Sequence, residues 1–197
     1  MTSGPEALPE SAERLVLALV GTDHHQFDRL VGWVDNWYRD TGSSPACLVQ
    51  FGQSRPPSTA PGVPFLDHDH LQELVRSAWV VVCHGGPGVI MEVRKSGLRP
   101  LVVPRSPREG EHVDDHQQRF CRHLAGKGLI ELVASEQALH AAIGRDLAAP
   151  ARPERVAADA ADAAGPAVRR FSALVEQLLE RGTSRRPFRI GDRARRR

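Results

Sequence analysis

The chain has 197 residues, 41% hydrophobic and 25% charged, enough to bury one core without disulfide or metal staples. Its longest apolar runs, Leu15 to Val20 and Trp79 to Cys83, hold about six residues against the roughly 20 of a membrane span, and Met1 to Arg14 does not read as a secretory leader. A net charge of +2 conceals an asymmetry: Arg181 to Arg197 carries eight Arg and one Asp, or +7, leaving −5 on the rest.

In chain order, Arg14 to Val20 reads as a strand rich in Leu and Val, closed by Gly21-Thr22. Gln26 to Tyr38 follows as a helix, with Phe27, Leu30, Val31, Val34 and Trp37 at helical spacing. Ala46 to Phe51 is the next strand, and a Pro/Gly/Ser loop runs on to Pro61. Val63 to Leu66 is short and extended, and Leu71 to Ala78 a short helix. Trp79 to Cys83 is uniformly apolar, as in a parallel strand covered on both faces. The glycine-rich turn His84 to Gly88 opens a helix through Val93, and Arg99 to Val103 is a further strand. Asp115 to Leu124 is helical, Gly128 to Val133 a strand and Gln137 to Leu147 a helix. This alternation predicts an α/β fold, one Rossmann-like doubly wound parallel sheet of about six strands spanning residues 14–147. Residues 1–13 read as a disordered N-terminus, 148–165 as a linker, 166–182 as a trailing helix and 183–197 as an Arg-rich tail.

In such sheets the ligand sits beyond the carboxyl ends of the strands. Here those ends carry Gly21 to His25, Phe51 to Ser54, Phe65 to His68, His84 to Gly88 and Pro104 to Gln117, a crowd of glycine, imidazole and carboxylate. The segment Val81 to Glu92, VVCHGGPGVIME, is the sharpest. A strand that delivers Gly85, Gly86 and Gly88 into a helix presents free backbone N–H groups to a phosphate. His84, neutral or cationic near neutral pH, adds a donor, and Glu92, eight residues on, can accept both hydroxyls of a ribose. The same residues also fit a plain tight turn followed by an exposed Glu.

HGGPGVIMEVRKSGLRPLVVPR followed by EHVDDHQQRF resembles the C-terminal, nucleotide-sugar-binding domain of glycosyltransferase family 28. That family includes the N-acetylglucosaminyltransferase that makes lipid II and the small subunit of the two-part UDP-GlcNAc transferases. The opening LVLALVGTDHHQFDRLVGWVD is similar to the start of those small subunits, and the likeness spans about Arg14 to Ala134. The resemblance implies the C-terminal half of a two-domain GT-B fold. Phe65 and Leu66 would lie against the uracil, His84, Gly86 and Gly88 at the diphosphate, and Glu92 on the ribose. Gly21 and Thr22 would border the diphosphate, and Asp115, Gln117 and Gln118 would bond the donor sugar. Two departures stand out: Arg108 to Val113 lengthens the loop before Asp115, and Val89 replaces a residue that is often small and hydroxylic.

The implied activity is hexosyl transfer from a UDP-sugar to a polyprenyl-diphosphate-linked or other glycolipid acceptor, with no metal required. A membrane-associated glycosyltransferase subunit would supply the acceptor site, so that this chain is inactive, or nearly so, by itself. It would then work in the cytoplasm at the inner face of the membrane, in polysaccharide biosynthesis. Arg181 to Arg197 would touch that partner or anionic lipid, with no nucleic acid expected because no base-reading motif accompanies the arginines. His25 is the candidate base on this chain. Asp67 to His70 and His112 to His116 look like metal-ligand clusters, but alternating residues on one loop seldom converge without a ligand from elsewhere. Cys47, Cys83 and Cys121, odd in number and widely spaced, read as free thiols in a reducing interior, Cys83 as core. A non-catalytic nucleotide-sugar-binding regulatory module and an epimerase-like protein are the alternatives.

Overall fold

In a computed structural model, which describes residues 14–43 and 45–152, six strands form one sheet in the order β3-β2-β1-β4-β5-β6. The strands are β1 (Val16–Leu19), β2 (Cys47–Gln50), β3 (Gly62–Val63), β4 (Val80–His84), β5 (Leu101–Val103) and β6 (Glu131–Leu132). Between and after them lie α1 (Asp28–Asp40), α2 (His68–Ser77), α3 (Pro87–Lys95), α4 (His116–Gly126) and α5 (Glu136–Ala148). Every pairing is parallel, with β1 central: Val16 lies opposite Cys47 on one side and Val80 on the other. The expected doubly wound parallel sheet is therefore present, and its strand order reverses between β1 and β4.

β1 and β4 need no polar alternation because both faces of the sheet are covered. Val16, Ala18, Val80, Val82, Leu101 and Val103 pack with Leu30, Val31 and Val34 of α1 and Leu139 and Ile143 of α5. Their alternates Leu17, Leu19, Val81, Cys83 and Val102 are just as buried. Arg14 ties the domain's two ends together. Its guanidinium lies 4.1 Å over Trp79 and donates to the carbonyls of Leu147 and Ala149, closing the C-terminus of α5. All three cysteines are free and buried.

Most element boundaries differ from the sequence reading by only a few residues, and two differences have a clear cause. β3 is Gly62–Val63, not Val63 to Leu66, because Pro64 has no N–H to extend the ladder. α2 starts at His68, since the Asp67 carboxylate accepts the His70 N–H at 2.9 Å and caps the helix three residues early. Asp67 to His70 is thereby a helix cap. Of the outlying segments, 1–13, most of 148–165, and all of 166–182 and 183–197 fall outside the described residues. No helix among the described residues is long and apolar enough to cross a membrane.

Candidate functional site

The strand-order reversal brings the carboxyl ends of β1 and β4 side by side, and there the His84 imidazole lies between two glycines. A Cβ on Gly21 would stand 2.6 Å from its Nε2, and one on Gly86 2.2 Å from its Cε1. Gly21 also holds φ +92°, a left-handed conformation that side chains resist. These two glycines therefore make room for an imidazole. Gly85 serves packing as well, since a Cβ there would meet Cys121 Sγ at 2.8 Å. A Cβ on Gly88, in the first turn of α3, would meet nothing within 4 Å. Pro87 opens that helix without an N–H, so the free amides of the turn are those of Gly88 and Val89.

Burial, followed by the nearby Arg105 charge, pushes the His84 pKa down to about 4. Of the two protonation states the sequence allows, His84 thus holds the neutral one at neutral pH, a hydrogen-bond donor without charge. Its buried Nδ1 has no hydrogen-bond partner.

Gln50, at the end of β2, locks the neighbouring turns. It accepts the Gly21 N–H at 3.1 Å and donates to the carbonyls of Gly21 and Pro64 at 3.1 and 2.8 Å. The Gly52 N–H also reaches Pro64 O at 2.9 Å, fixing the turn from which Phe65 projects, 49% exposed, with Leu66 beside it. Glu92, on α3, accepts a bond from Gln72 of α2 at 2.9 Å and lies 3.9 Å from Lys95. One carboxylate oxygen is thus already oriented toward α2.

On the β5 side the organiser is Arg105, only 1% exposed. Its guanidinium donates to the carbonyls of His25 (2.6 Å), Val20 (2.9 Å), Glu111 (3.2 Å) and Gln26 (3.3 Å), and sits 4.9 Å over Phe27. Buried Glu111 takes two bonds from Arg29 at 2.7 and 2.8 Å and one from the Ser106 N–H at 2.8 Å. Arg105 and Glu111 thereby staple the loop after β1 to the loop after β5. Both lie in the segments that carry the family resemblance, at the end of HGGPGVIMEVRKSGLRPLVVPR and the start of EHVDDHQQRF, but no role was expected of either; a single Arg after a strand reads as surface.

The sugar-site candidates part company. Asp115 and Gln118 line an open cleft of about 530 Å³ with Ser106, Pro107, Arg108 and Arg122. Gln117 turns inward, 5% exposed, with its Oε1 3.4 Å from the Arg105 N–H and against Gly85. Thr22 is exposed on the β1 loop. Beyond it Asp23 Oδ1 accepts from the backbone N–H of His25 (2.9 Å) and meets its Nδ1 at 2.8 Å. The His25 backbone bond, set against desolvation and helped by the imidazole, lowers the Asp23 pKa to about 2.

The sequence pattern of the glycosyltransferase family 28 C-terminal domain matches residues 16–177. The chain belongs to that family. Solved structures with the same fold include the glycotransferase of kitacinnamycin, 19% identical, TM-score 0.53, covering 89% of this chain and 41% of its own. The calicheamicin glycosyltransferase CalG4 is 16% identical, TM-score 0.54, with 93% of this chain and 46% of its own covered. MurG of Acinetobacter baumannii is 16% identical, TM-score 0.51, over 71% of this chain and 42% of its own. At these identities the likeness is one of fold, that of GT-B glycosyltransferases. The family 28 chain spans less than half the length of each of these structures. No curated protein matches it.

Proposed function

We propose that this family 28 chain is the donor-binding part of a glycosyltransferase that moves a hexosyl group from a UDP-sugar to a glycolipid acceptor. The observation that supports the reading best is the junction of β1 and β4. There a helix N-terminus with free amides at Gly88 and Val89 stands beside a half-buried neutral His84 whose buried Nδ1 lacks a partner. A departing diphosphate needs fixed donors aimed at growing charge, in a place water does not reach. The α3 amides and His84 would supply them, with Gly21 and Thr22 closing the other side. Phe65 and Leu66 would receive the uracil, Glu92 the ribose, and Asp115 and Gln118 the sugar hydroxyls, with Gln117 holding that end of the site from beneath.

A base must take the acceptor's proton. His25 is the residue on this chain suited to it, because Asp23 fixes its ring from the Nδ1 side and leaves Nε2 for the acceptor. The acceptor pocket itself would come from a membrane-associated partner, with the Arg-rich tail contributing contacts to it or to anionic lipid. The working location would then be the inner face of the cytoplasmic membrane.

The test is transfer of labelled sugar from UDP-GlcNAc or UDP-glucose to a polyprenyl-diphosphate-linked acceptor, with the purified chain alone and with membranes holding candidate partners. Transfer only in the combined reaction supports the two-part reading. Equal transfer by the isolated chain would overturn the need for a partner.

A further inference from the structure

We propose that His112, Asp114 and His116 form a binding site for a borderline transition-metal dication such as Zn²⁺, with Asp23 as the carboxylate behind His112. Alternation along one loop is a weak reason to expect convergence, yet here the bend entering α4 achieves it. One ligand atom from each of the three residues lies within 4.8 Å of the others. His112 Nδ1 stands 3.6 Å from Asp114 Oδ1, close to the roughly 3.4 Å edge of a tetrahedron with bonds of about 2.1 Å. His116 Nδ1 is hydrogen-bonded to the same oxygen and His112 Nδ1 accepts the Asp114 N–H at 3.4 Å, two contacts that a bound dication would replace, and the His116 ring meets His112 edge-on at 4.7 Å between centroids.

The other nitrogen of His112 supplies the missing element from elsewhere in the chain. Its Nε2 faces Asp23 Oδ2 at 4.0 Å, across from the β1 loop, and its ring stacks on His25 at 5.6 Å. At that separation the Asp23 carboxylate acts on the ring through its charge, which favours a cation held on the opposite nitrogen. The neighbouring Glu111, clamped by Arg29 and Ser106, makes the loop rigid where it delivers His112, whose side chain is 12% exposed. The two histidines and one carboxylate favour zinc, cobalt or nickel over magnesium and calcium, and they leave a fourth position open. The N-terminus of α4 disfavours a cation, an effect that the carboxylates Asp114 and Asp115 offset.

The test uses the tag-free full chain titrated with Zn²⁺ alone by calorimetry, with Co²⁺ absorption as a report of coordination. The proposal expects one Zn²⁺ per chain, a tetrahedral Co²⁺ spectrum, and at least tenfold weaker binding in both His112→Ala and His116→Ala. Asp23→Asn weakens binding less than either histidine variant, and His70→Ala, on exposed α2, leaves it unchanged. Half-exposed His116 keeps the test valid should His112→Ala fail to fold. No stoichiometric binding, or binding unweakened in His116→Ala, overturns the proposal. Donor binding is read separately, so either reading can fail while the other stands.

Discussion

Around His84 the cleft is filled: Gly21 and Gly86 flank its ring, and Gln50 and Arg105 close the backbone around it. Around Asp115 it is open, lined by the exposed side chains of Arg108 and Arg122 and by half-buried Gln118 over about 530 Å³. The filled end is a matter of fit, where one added carbon displaces an imidazole. The open end offers charge and hydrogen bonds with few packing constraints. Under the proposed function the constant part of a donor, the diphosphate, would take the filled end and the variable sugar the open one.

Four changes probe the two ends of the cleft. Arg105→Met has the largest expected effect, because four carbonyls lose their donor and Glu111 loses a nearby cation. Denaturant unfolding should show a loss of about 3–5 kcal/mol. Gly86→Ala comes next, with a Cβ 2.2 Å from His84 Cε1. It should cost about 1–3 kcal/mol in the same measurement and abolish UDP binding.

Acid exposes a smaller effect. The Asp23 pKa is lowered to about 2 from an ordinary 3.8, and that of Asp35 is lowered too. At Asp35, burial is outweighed by N–H bonds from Ser58, Thr59 and Ala60. Both stabilise the fold fully above their ordinary pKa, and that stability drains away as pH falls through their folded values. Thermal melting followed from pH 5 to 2 should therefore show a falling midpoint, less steep in Asp23→Asn. Smallest in stability is Arg108→Ala with Arg122→Ala, expected within about 0.5 kcal/mol of the parent. That double variant should instead change the ranking of UDP-sugars while leaving UDP affinity intact.

The sheet was legible because β1 and β4 are uninterrupted apolar runs, the mark of strands covered on both faces. The His84 to Gly88 turn was legible because strand, glycines and helix follow one another within a few residues. What the glycines at 21 and 86 accommodate was not, since the ring they flank comes from β4 and its position depends on the strand order. Arg105, Gln50 and Gln72 escaped for a related reason. Each looks like an ordinary polar residue until chain folding surrounds it with carbonyls or a carboxylate. The meeting of Asp23 and His25 with His112 joins loops separated by most of the domain, and local pattern says nothing of such a contact.

The most direct measurement is calorimetric titration of the chain with UDP, UDP-GlcNAc, UDP-glucose and an ADP-sugar, repeated on Glu92→Ala. A donor site at His84 and Glu92 gives micromolar binding of a UDP-sugar, weaker or absent binding of the ADP-sugar, and loss of binding in the variant. Equal affinity for UDP- and ADP-sugars, or binding untouched by Glu92→Ala, would contradict the donor site described above.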